Sequence, residues 1–509
     1  MSHNEKIHAL VTRTRDRLGI VFRIIVDKPE IFFLIIASVI GLCLIVVLPP
    51  FRGLDEASHI YRVTQLSEGD LFMEKIPGGY GHLIPNYIHN VNMDEFTQTK
   101  KNNLLLSIQR RYASGEYSRT SGSATQLFEG AGTYSPLTYA HLLPVGVLAN
   151  YTKLNAYIYT LLLRLSNLLI FLLFVYLAIK LAPTGKWLLV SVGLLPMSIH
   201  QAATVSADVI LVSSIFIFVA LILRTLSEEA SIKDRLPLKS LKLLAPIFLA
   251  GLLLGGSKPG YFLIVLGVFL IPKSLFKNTR AWASYALGLL VCCALLLGVW
   301  SVLLGWSGTG VAVESFRARV NNGGQTLDVS EIVTQTALRP WRTMKLISNT
   351  FMYENDSTLP FPIQSDFNKV PDFILSNFTG IFGSLNTPLP DWASFLVILN
   401  LLFSFLAFGA KKITLSFRKK LLVFFIIIAQ ISGLFLVFWK TWTSRTMEHV
   451  WGLQGRYFIP LIPLLAFIMP RKSSFTWSKD TTKYVAMSLS CVPLAMMIVM
   501  VFETFYKLI

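Results

Sequence analysis

Four ionisable side chains occur within eight residues of the stretch FRGLDEASHIYR, which spans 51–62. They are Asp55, Glu56, His59 and Arg62. A carboxylate within hydrogen-bond reach of a hydroxyl can take its proton as a general base. A guanidinium can hold an anion through two parallel donors. The stretch therefore carries the side chains needed for proton transfer beside an anionic group.

The same side chains are spaced for one face of a helix. Asp55, His59 and Arg62 stand at i, i+4 and i+7 of a helix predicted over 54–68. Three apolar side chains cluster on another face: Ile60, Val63 and Leu66. We expect this helix to lie on the outer membrane surface, with its apolar side in lipid and its charged side toward protein or water. An ordinary interfacial helix with a solvated polar face fits the stretch equally well.

Similar groups occur where other apolar segments end. They are His200 and Gln201, Ser206 and Asp208 in TVSADVI, Lys258 and Tyr261 in SKPGYF, and Arg445, Glu448, His449, Gln454 and Arg456 in TSRTMEHVWGLQGRYFIP. Each has a structural explanation by itself: Ser206 can cap a helix, Lys258 can snorkel, and Arg456 can anchor at the headgroups. Together, carboxylates and cations near one membrane face suit chemistry on a lipid-linked phosphate, because the cations would neutralise a departing anion.

The composition is that of a polytopic helical membrane protein. Of the 509 residues, 53% are hydrophobic and 15% charged, and long apolar runs recur along most of the chain. The net charge of +18 would favour nucleic acid in a soluble protein, but here the basic residues occupy short tracts between apolar segments. We therefore expect a membrane and no nucleic acid as the partner. No cleavable signal peptide is expected. All four cysteines fall inside apolar segments, which argues against a disulfide framework or a thiolate zinc site.

Eleven membrane spans are predicted, and the fold class is all-α. The spans are 31–49, 156–181, 186–202, 206–224, 241–256, 259–272, 281–304, 391–409, 420–439, 456–470 and 483–506. Residues 134–150 are apolar but interrupted by Pro136, Pro144 and Gly146, which predicts a re-entrant or interfacial segment. The organisation is then a cytoplasmic segment 1–30, a first transmembrane helix 31–49, a first external loop 50–155, transmembrane helices two to seven in 156–304, a second external loop 305–390, and transmembrane helices eight to eleven in 391–509.

Basic residues set the predicted orientation. With the N-terminus in the cytoplasm, the short cytoplasmic pieces hold 25 of the chain's 46 Lys and Arg. Such enrichment is typical of the cytoplasmic side of a membrane protein. The two long loops then lie outside, and so do all the polar groups described above.

Four motifs resemble those of a bacterial family of predicted polytopic membrane proteins. They are PPFRGLDEASHIYRVTQLSEG, SADVIL, SKPGYF and GLQGRYFIPL, spread from about residue 49 to 462, and the last is the most specific. That family is similar in layout to the GT-C glycosyltransferases, which use polyprenyl-phosphate sugars at the outer leaflet. The two long external loops match no known pattern.

The resemblance implies a GT-C-like fold and assigns roles to individual residues. The catalytic base would be Asp55 or the adjoining Glu56, and the sequence leaves that choice open. The phosphate-facing cation would be Arg456, with Lys258 as a helper. The remaining candidate substrate-binding residues are His59, Arg62, Asp208, Tyr261, Arg445, His449 and Gln454. No metal site and no cofactor are expected, and dependence on a divalent metal is left open.

The expected function is that of an inverting glycosyltransferase. It would move a hexose, glucose being one candidate, from a carrier such as undecaprenyl phosphate to a lipid-linked polysaccharide such as O-antigen, at the outer face of the bacterial inner membrane. Serotype-converting glucosylation is the favoured variant, with a flippase and a polyprenyl-phosphate sugar synthase as functional partners. An O-antigen polymerase or ligase is an alternative, because Arg317, Arg319, Arg339 and Arg342 lie in the second external loop. A flippase or transporter ranks third, since apart from Arg164 the span interiors are nearly free of charge.

The orientation can be tested with reporters fused at positions 100, 350 and 450. Because the basic tracts gather on the cytoplasmic side, all three reporters should show an external location. A cytoplasmic location for any one of them would contradict the shared external face of the candidate residues.

Overall fold

The protein is built mainly from helices, as a computed structural model shows. The structure describes residues 23–97, 107, 111, 122–152, 154–228, 237–312, 329–352, 370–383, 385, 387–410, 413, 415–443 and 449–506. From the N-terminus the elements are α1 (Pro29–Val47), α2 (Glu56–Glu68), β1 (Glu74–Ile76), β2 (Gly79–Pro85), α3 (Asn86–Thr97), β3 (Ser123–Leu127), α4 (Glu129–Gly132), a 3-10 turn (Pro136–Tyr139), α5 (Leu143–Thr152), α6 (Ala156–Leu181), α7 (Lys186–Gly193), α8 (Pro196–Ala202) and α9 (Asp208–Glu228).

The second half of the chain continues in the same way. Its elements are α10 (Pro237–Ser257), 3-10 helices at Pro259–Leu270 and Lys273–Leu275, α11 (Thr279–Trp306), a 3-10 turn (Thr309–Val311), α12 (Val329–Leu338), α13 (Pro340–Met352), α14 (Val370–Thr379), β4 (Ile381–Phe382), β5 (Thr387–Pro388), α15 (Asp391–Ala407), α16 (Phe417–Trp442), a 3-10 helix (Gly455–Phe467) and α17 (Lys479–Phe505).

Within the described ranges, six helices are long and apolar enough to cross a membrane: α1, α6, α9, α11, α16 and α17. Helix α9 is central, with 83% of its most apolar window buried, and it packs against α6 and α10. Helix α11 is peripheral, with 11% of its window buried. The polytopic helical class is therefore confirmed. All eleven predicted spans contain helical residues, but the number of crossings stays a prediction.

The segment 186–202, predicted as one span, is divided into α7 and α8. Pro196 opens α8, and Leu195 before it is extended, with φ −56° and ψ 133°. Proline disfavours the helical region for the preceding residue and has no N–H to donate, so a continuous helix cannot pass this point. Helices of eight and seven residues are only about 10–12 Å long, so neither crosses a bilayer alone.

The all-α class needs a correction outside the membrane helices. Strands β1, β2 and β3 form an antiparallel sheet in that order, with Glu74 opposite Gly81 and Gly81 opposite Leu127. Strands β4 and β5 form a second, two-stranded sheet. Both sheets lie in regions predicted as external loops, where no strands were predicted.

Helix α2 matches the predicted helix over 54–68, but its surroundings differ from the expectation. Its apolar residues are buried in protein, with Ile60 and Val63 fully inaccessible. They belong to a second core cluster together with Phe128 and Tyr139. The prediction that this face lies in lipid was therefore wrong, because the sheet and the segment after it supply an apolar partner that periodicity alone does not reveal.

A buried ion pair joins α1, α2 and α6. Arg164 on α6 donates from Nε and Nη2 to the two carboxylate oxygens of Glu56, both at 2.7 Å. The same guanidinium donates to the carbonyls of Ile45, Leu48 and Pro49 at the end of α1. The last carbonyls of a helix have no partner within it, so Arg164 satisfies groups that burial would otherwise leave unpaired.

The backbone completes the surroundings of Glu56. The N–H groups of Gly53 and Val205 each donate to its carboxylate at 3.0 Å. Burial of Glu56 opposes ionisation, but the Arg164 charge and these hydrogen bonds outweigh it and hold the pKa of Glu56 below its ordinary value.

Basic residues gather at the opposite end of α1. Lys186 lies 3.6 Å from Glu30, and Lys483 donates to Asp27 at 2.6 Å. Helix α1 therefore has two lysines, from segments predicted to be cytoplasmic, at one end and Glu56 beyond the other. Which end faces the cytoplasm stays a prediction.

Glu56→Gln should destabilise the protein strongly. Removing one member of a buried pair leaves an uncompensated charge, which costs about 3–5 kcal/mol. Thermal unfolding in detergent measures the loss. Glu228→Gln is the matched control, because its pair with Arg224 is exposed and worth about 1 kcal/mol or less. Equal shifts for the two variants would contradict the structural role of Glu56.

Candidate functional site

Two ion pairs from four distant parts of the chain meet at the end of the helices where α2 begins. Arg456 donates from Nη2 to Oδ2 of Asp55 at 2.9 Å. Lys258 donates to Oδ1 of Asp208. The pairs are close enough to interact, since the charge of Asp208 opposes the ionisation of Asp55. These four residues form the centre of the candidate site.

Asp55 is placed by an unusual backbone conformation. It precedes α2 with φ 56°, in the left-handed region that aspartate adopts more readily than most residues. Its side chain makes no capping hydrogen bond to α2, so the carboxylate is directed to Arg456. The side chain of Asp55 is 65% exposed, whereas that of Arg456 is 5% exposed. An accessible carboxylate thus covers a buried cation.

Arg456 is held by the tight packing of the residue before it. A Cβ at Gly455 would lie 1.9 Å from the Ile374 carbonyl oxygen on α14, so only glycine fits there. Arg456 is the second residue of the 3-10 helix Gly455–Phe467, and its guanidinium lies 5.3 Å from the centre of the Tyr457 ring. Its Nε is buried and has no hydrogen-bond partner in the described part of the chain. A buried, unsatisfied guanidinium N–H favours an anionic ligand.

The second pair is held more tightly. Gln201 on α8 donates to Oδ2 of Asp208 at 2.9 Å, while Lys258 takes the other oxygen. The Lys258 ammonium also lies 4.6 Å from the centre of the Tyr134 ring. The hydroxyl of Ser206 accepts from the N–H of Asp208 at 3.1 Å, as expected for a residue that caps α9. Tyr261 donates to the Tyr457 carbonyl at 3.0 Å and braces the region around Arg456.

Electrostatic interactions give Asp55 and His59, at the start of α2, different protonation states. Partial loss of solvation opposes the ionisation of Asp55, but the adjacent Arg456 outweighs it and lowers the pKa of Asp55. Burial lowers the pKa of His59 to about 4, against the attraction of Asp55. His59 is therefore a neutral imidazole near pH 7, and its Nδ1 lies 2.8 Å from the Tyr139 hydroxyl. The site holds an ionised carboxylate and a neutral histidine side by side.

A comparison with protein-family models places the chain among membrane proteins. The model of DUF2142, described as a predicted membrane protein, matches residues 38–465. The chain belongs to the DUF2142 family. Comparison with curated proteins and with solved structures gives no match. The matched range includes the whole site of this DUF2142 protein, from Asp55 to Arg456.

Several predicted residues lie elsewhere in the DUF2142 protein. Both carboxylate oxygens of Glu56 are engaged by Arg164, so the geometry favours Asp55 in the choice between them. Arg62 donates to Gln65 at 2.5 Å and to the Tyr134 carbonyl at 3.5 Å. His449 is buried with its ring 5.9 Å from that of Trp451. Gln454 precedes the 3-10 helix, and its Oε1 is buried. Arg445 and Glu448 lie outside the described residues.

Three tyrosines of the site were not predicted from the sequence. Tyr134 lies beneath Lys258, Tyr139 contacts His59, and Tyr457 contacts Arg456. Tyr457 directly follows Arg456 in the QGRYF motif, so its position in the site could have been predicted. Tyr134 and Tyr139 lie at the start of the segment predicted to be re-entrant. Their contacts are with residues distant in the sequence, which no periodic sequence pattern indicates.

Proposed function

We propose that this DUF2142 protein is a GT-C-type inverting glycosyltransferase. It transfers a hexose from a polyprenyl-phosphate carrier to a lipid-linked polysaccharide at the outer face of the bacterial inner membrane. The observation that carries the proposal is the pairing of exposed Asp55 with nearly buried Arg456, whose Nε–H lacks a partner in the described ranges.

Arg456 and Lys258 provide the binding site for the donor phosphate. Both cations lie at the end of the membrane helices, where the phosphate of a membrane-anchored lipid would be held. A phosphate oxygen would satisfy the unpartnered Nε–H of Arg456, which otherwise costs about 1–3 kcal/mol as a buried, unsatisfied donor. Positive charge at this point also stabilises the phosphate as it leaves the sugar.

Asp55 acts as the general base. In the transfer, the acceptor oxygen bonds to the anomeric carbon while Asp55 takes the hydroxyl proton. The bond between that carbon and the phosphate oxygen breaks, and its electron pair leaves with the phosphate. Attack from the face opposite the phosphate inverts the configuration in one step.

The pairing with Arg456 makes the base depend on the donor. In the free protein Arg456 holds the pKa of Asp55 low, which makes Asp55 a weak base. A bound phosphate would share the guanidinium and weaken its hold on Asp55. The pKa of Asp55 would then rise toward the range in which a carboxylate accepts a proton effectively. Neutral His59, held by Tyr139, lies beside Asp55 and can orient the acceptor hydroxyl.

Two observations bear on the alternatives. The charge of Arg164, which a transporter could use, is already satisfied by Glu56 and three carbonyls. This favours an enzyme over a flippase. An O-antigen polymerase or ligase remains the second candidate because Arg339 and Arg342 are exposed near the start of α13. Arg317 and Arg319 lie outside the described residues.

Asp55→Asn should lower sugar transfer by about 10²-fold or more, the scale expected for losing a general base. The measurement uses membranes with equal amounts of protein and a radiolabelled polyprenyl-phosphate hexose, with glucose as the first probe. His59→Ala should cause a smaller loss. Asp391→Asn is the matched control, because Asp391 is an exposed carboxylate at the start of α15. Normal transfer by Asp55→Asn would place the base elsewhere.

Arg456→Ala should abolish transfer while the protein still inserts, and Arg456→Lys should keep part of the activity. An ammonium replaces the charge but not the two parallel donors of a guanidinium. Arg339→Ala and Arg342→Ala should transfer hexose as wild type does. If these two lose transfer and Arg456→Ala retains it, the polymerase or ligase hypothesis replaces the present one.

A further inference from the structure

A second group of ionisable side chains lies at the far end of α2. Nε2 of His82, on strand β2, is 3.4 Å from Oε2 of Glu68 and 3.4 Å from Oδ2 of Asp70. The three possible ligand atoms all lie within 4.8 Å of one another. On the other side of the ring, Nδ1 of His82 is 3.6 Å from Oε1 of Glu74. One histidine is thus surrounded by three carboxylates.

The distances around Nε2 fit ligands of one metal ion. A good N–H···O hydrogen bond is about 2.7–3.2 Å, so 3.4 Å is long for a direct bond. Zinc binds histidine nitrogen and carboxylate oxygen at about 2.0–2.2 Å in a tetrahedral arrangement, which separates two ligand atoms by roughly 3.3 Å. Both separations at Nε2 are close to that value.

The histidine itself supplies an independent observation. The His82 side chain is 8% exposed, and its Nδ1 has no hydrogen-bond partner among the described residues. A metal-bound histidine usually directs its second ring N–H to a carboxylate. Glu74 lies on that side of the ring, on the strand paired with β2, and can take this outer role.

We propose that Glu68, Asp70 and His82 bind a divalent transition-metal ion, with Zn²⁺ as the best fit. Two carboxylates balance the charge of the ion, and the imidazole supplies the nitrogen ligand. The side chains of Glu68 and Asp70 are 32% and 56% exposed, which leaves room for water as a fourth ligand. A cluster without metal, held by protonated His82, is the competing explanation, since the carboxylates also raise the pKa of His82.

The ion would fasten the end of α2 to the sheet. Helix α2 has 13 residues and is therefore about 20 Å long, with Asp55 directly before its first turn. The metal is then too far from Asp55 to touch the reacting groups. Its role is to position α2 relative to strands β1 and β2, and metal binding here does not require the proposed transferase activity.

The test uses the purified full-length protein in detergent, stripped with a chelator and titrated with Zn²⁺ or Co²⁺. We expect one saturable site, and the visible spectrum of the Co²⁺ form should be that of a tetrahedral ion. His82→Gln and Glu68→Gln should each weaken binding at least about tenfold, because replacing even an outer-shell partner of a metal typically costs about 10–100-fold in affinity. His89→Gln, on α3 outside the cluster, is the matched control and should bind as wild type does.

Thermal unfolding gives a second, independent measurement of metal binding. An ion that binds only the folded state raises the unfolding temperature, so Zn²⁺ should stabilise wild type and His89→Gln but not His82→Gln. No saturable binding by wild type, or equal binding by wild type, His82→Gln and Glu68→Gln, overturns the proposal. Either outcome would leave the metal-free ion cluster as the explanation. If His82→Gln and Glu68→Gln fail to fold, a wild-type Co²⁺ spectrum without tetrahedral features overturns it as well.

Discussion

The ion pair between Glu56 and Arg164 is the interaction on which the site depends. It lies where α1 ends and α2 begins, and it is fully enclosed by protein. Both partners are satisfied almost completely: the carboxylate by Arg164 and two backbone N–H groups, the guanidinium by that carboxylate and three carbonyls. Such a pair in a low-dielectric interior tolerates little displacement, because each lost hydrogen bond leaves a buried group unpaired.

This constraint gives two adjacent carboxylates different surroundings. Glu56 is fixed inward, and Asp55 beside it takes the left-handed backbone conformation with its side chain outside the helix. Asp55 and Glu56 therefore cannot take each other's place. In the proposed transferase, Glu56 determines where α2 starts, and the start of α2 determines where Asp55 meets Arg456. A paired acid motif thus contains one structural and one exposed carboxylate.

Much of this could be predicted from the sequence, for reasons visible in particular residues. Helix α6 has the predicted bounds because Asn155 caps its first turn and the apolar run ends at Leu181. The convergence of Asp55, Asp208, Lys258 and Arg456 followed from assigning their segments to one side of the membrane. Arg164 stood out as a charge inside a predicted span, but its pairing with Glu56 was not predicted, because 108 residues separate the two and no local pattern links them. The prediction that α2 faces lipid was wrong for a similar reason. A helix with one apolar face has the same sequence pattern whether that face packs on lipid or on a small sheet. The group around His82 was missed because it requires a turn at Gly69 and a hairpin, and neither was assigned from the sequence.

The two ion pairs of the site differ in which member can be released. Asp55 is 65% exposed, while Asp208, Lys258 and Arg456 keep 12%, 12% and 5% of their side chains accessible. Charges in a poorly solvated site must stay paired, so an entering anion can take a cation only if that cation's present partner can move into water. Moving Asp208 into water would break hydrogen bonds to both of its carboxylate oxygens, which Gln201 and Lys258 donate. Asp55 can move into water, since water already reaches it.

We therefore infer that an anion entering the site takes Arg456 from Asp55 and leaves the Asp208–Lys258 pair intact. In the proposed transferase, the carboxylate that is freed is then the one that can meet an acceptor hydroxyl, which supports Asp55 over Asp208 as the proposed base.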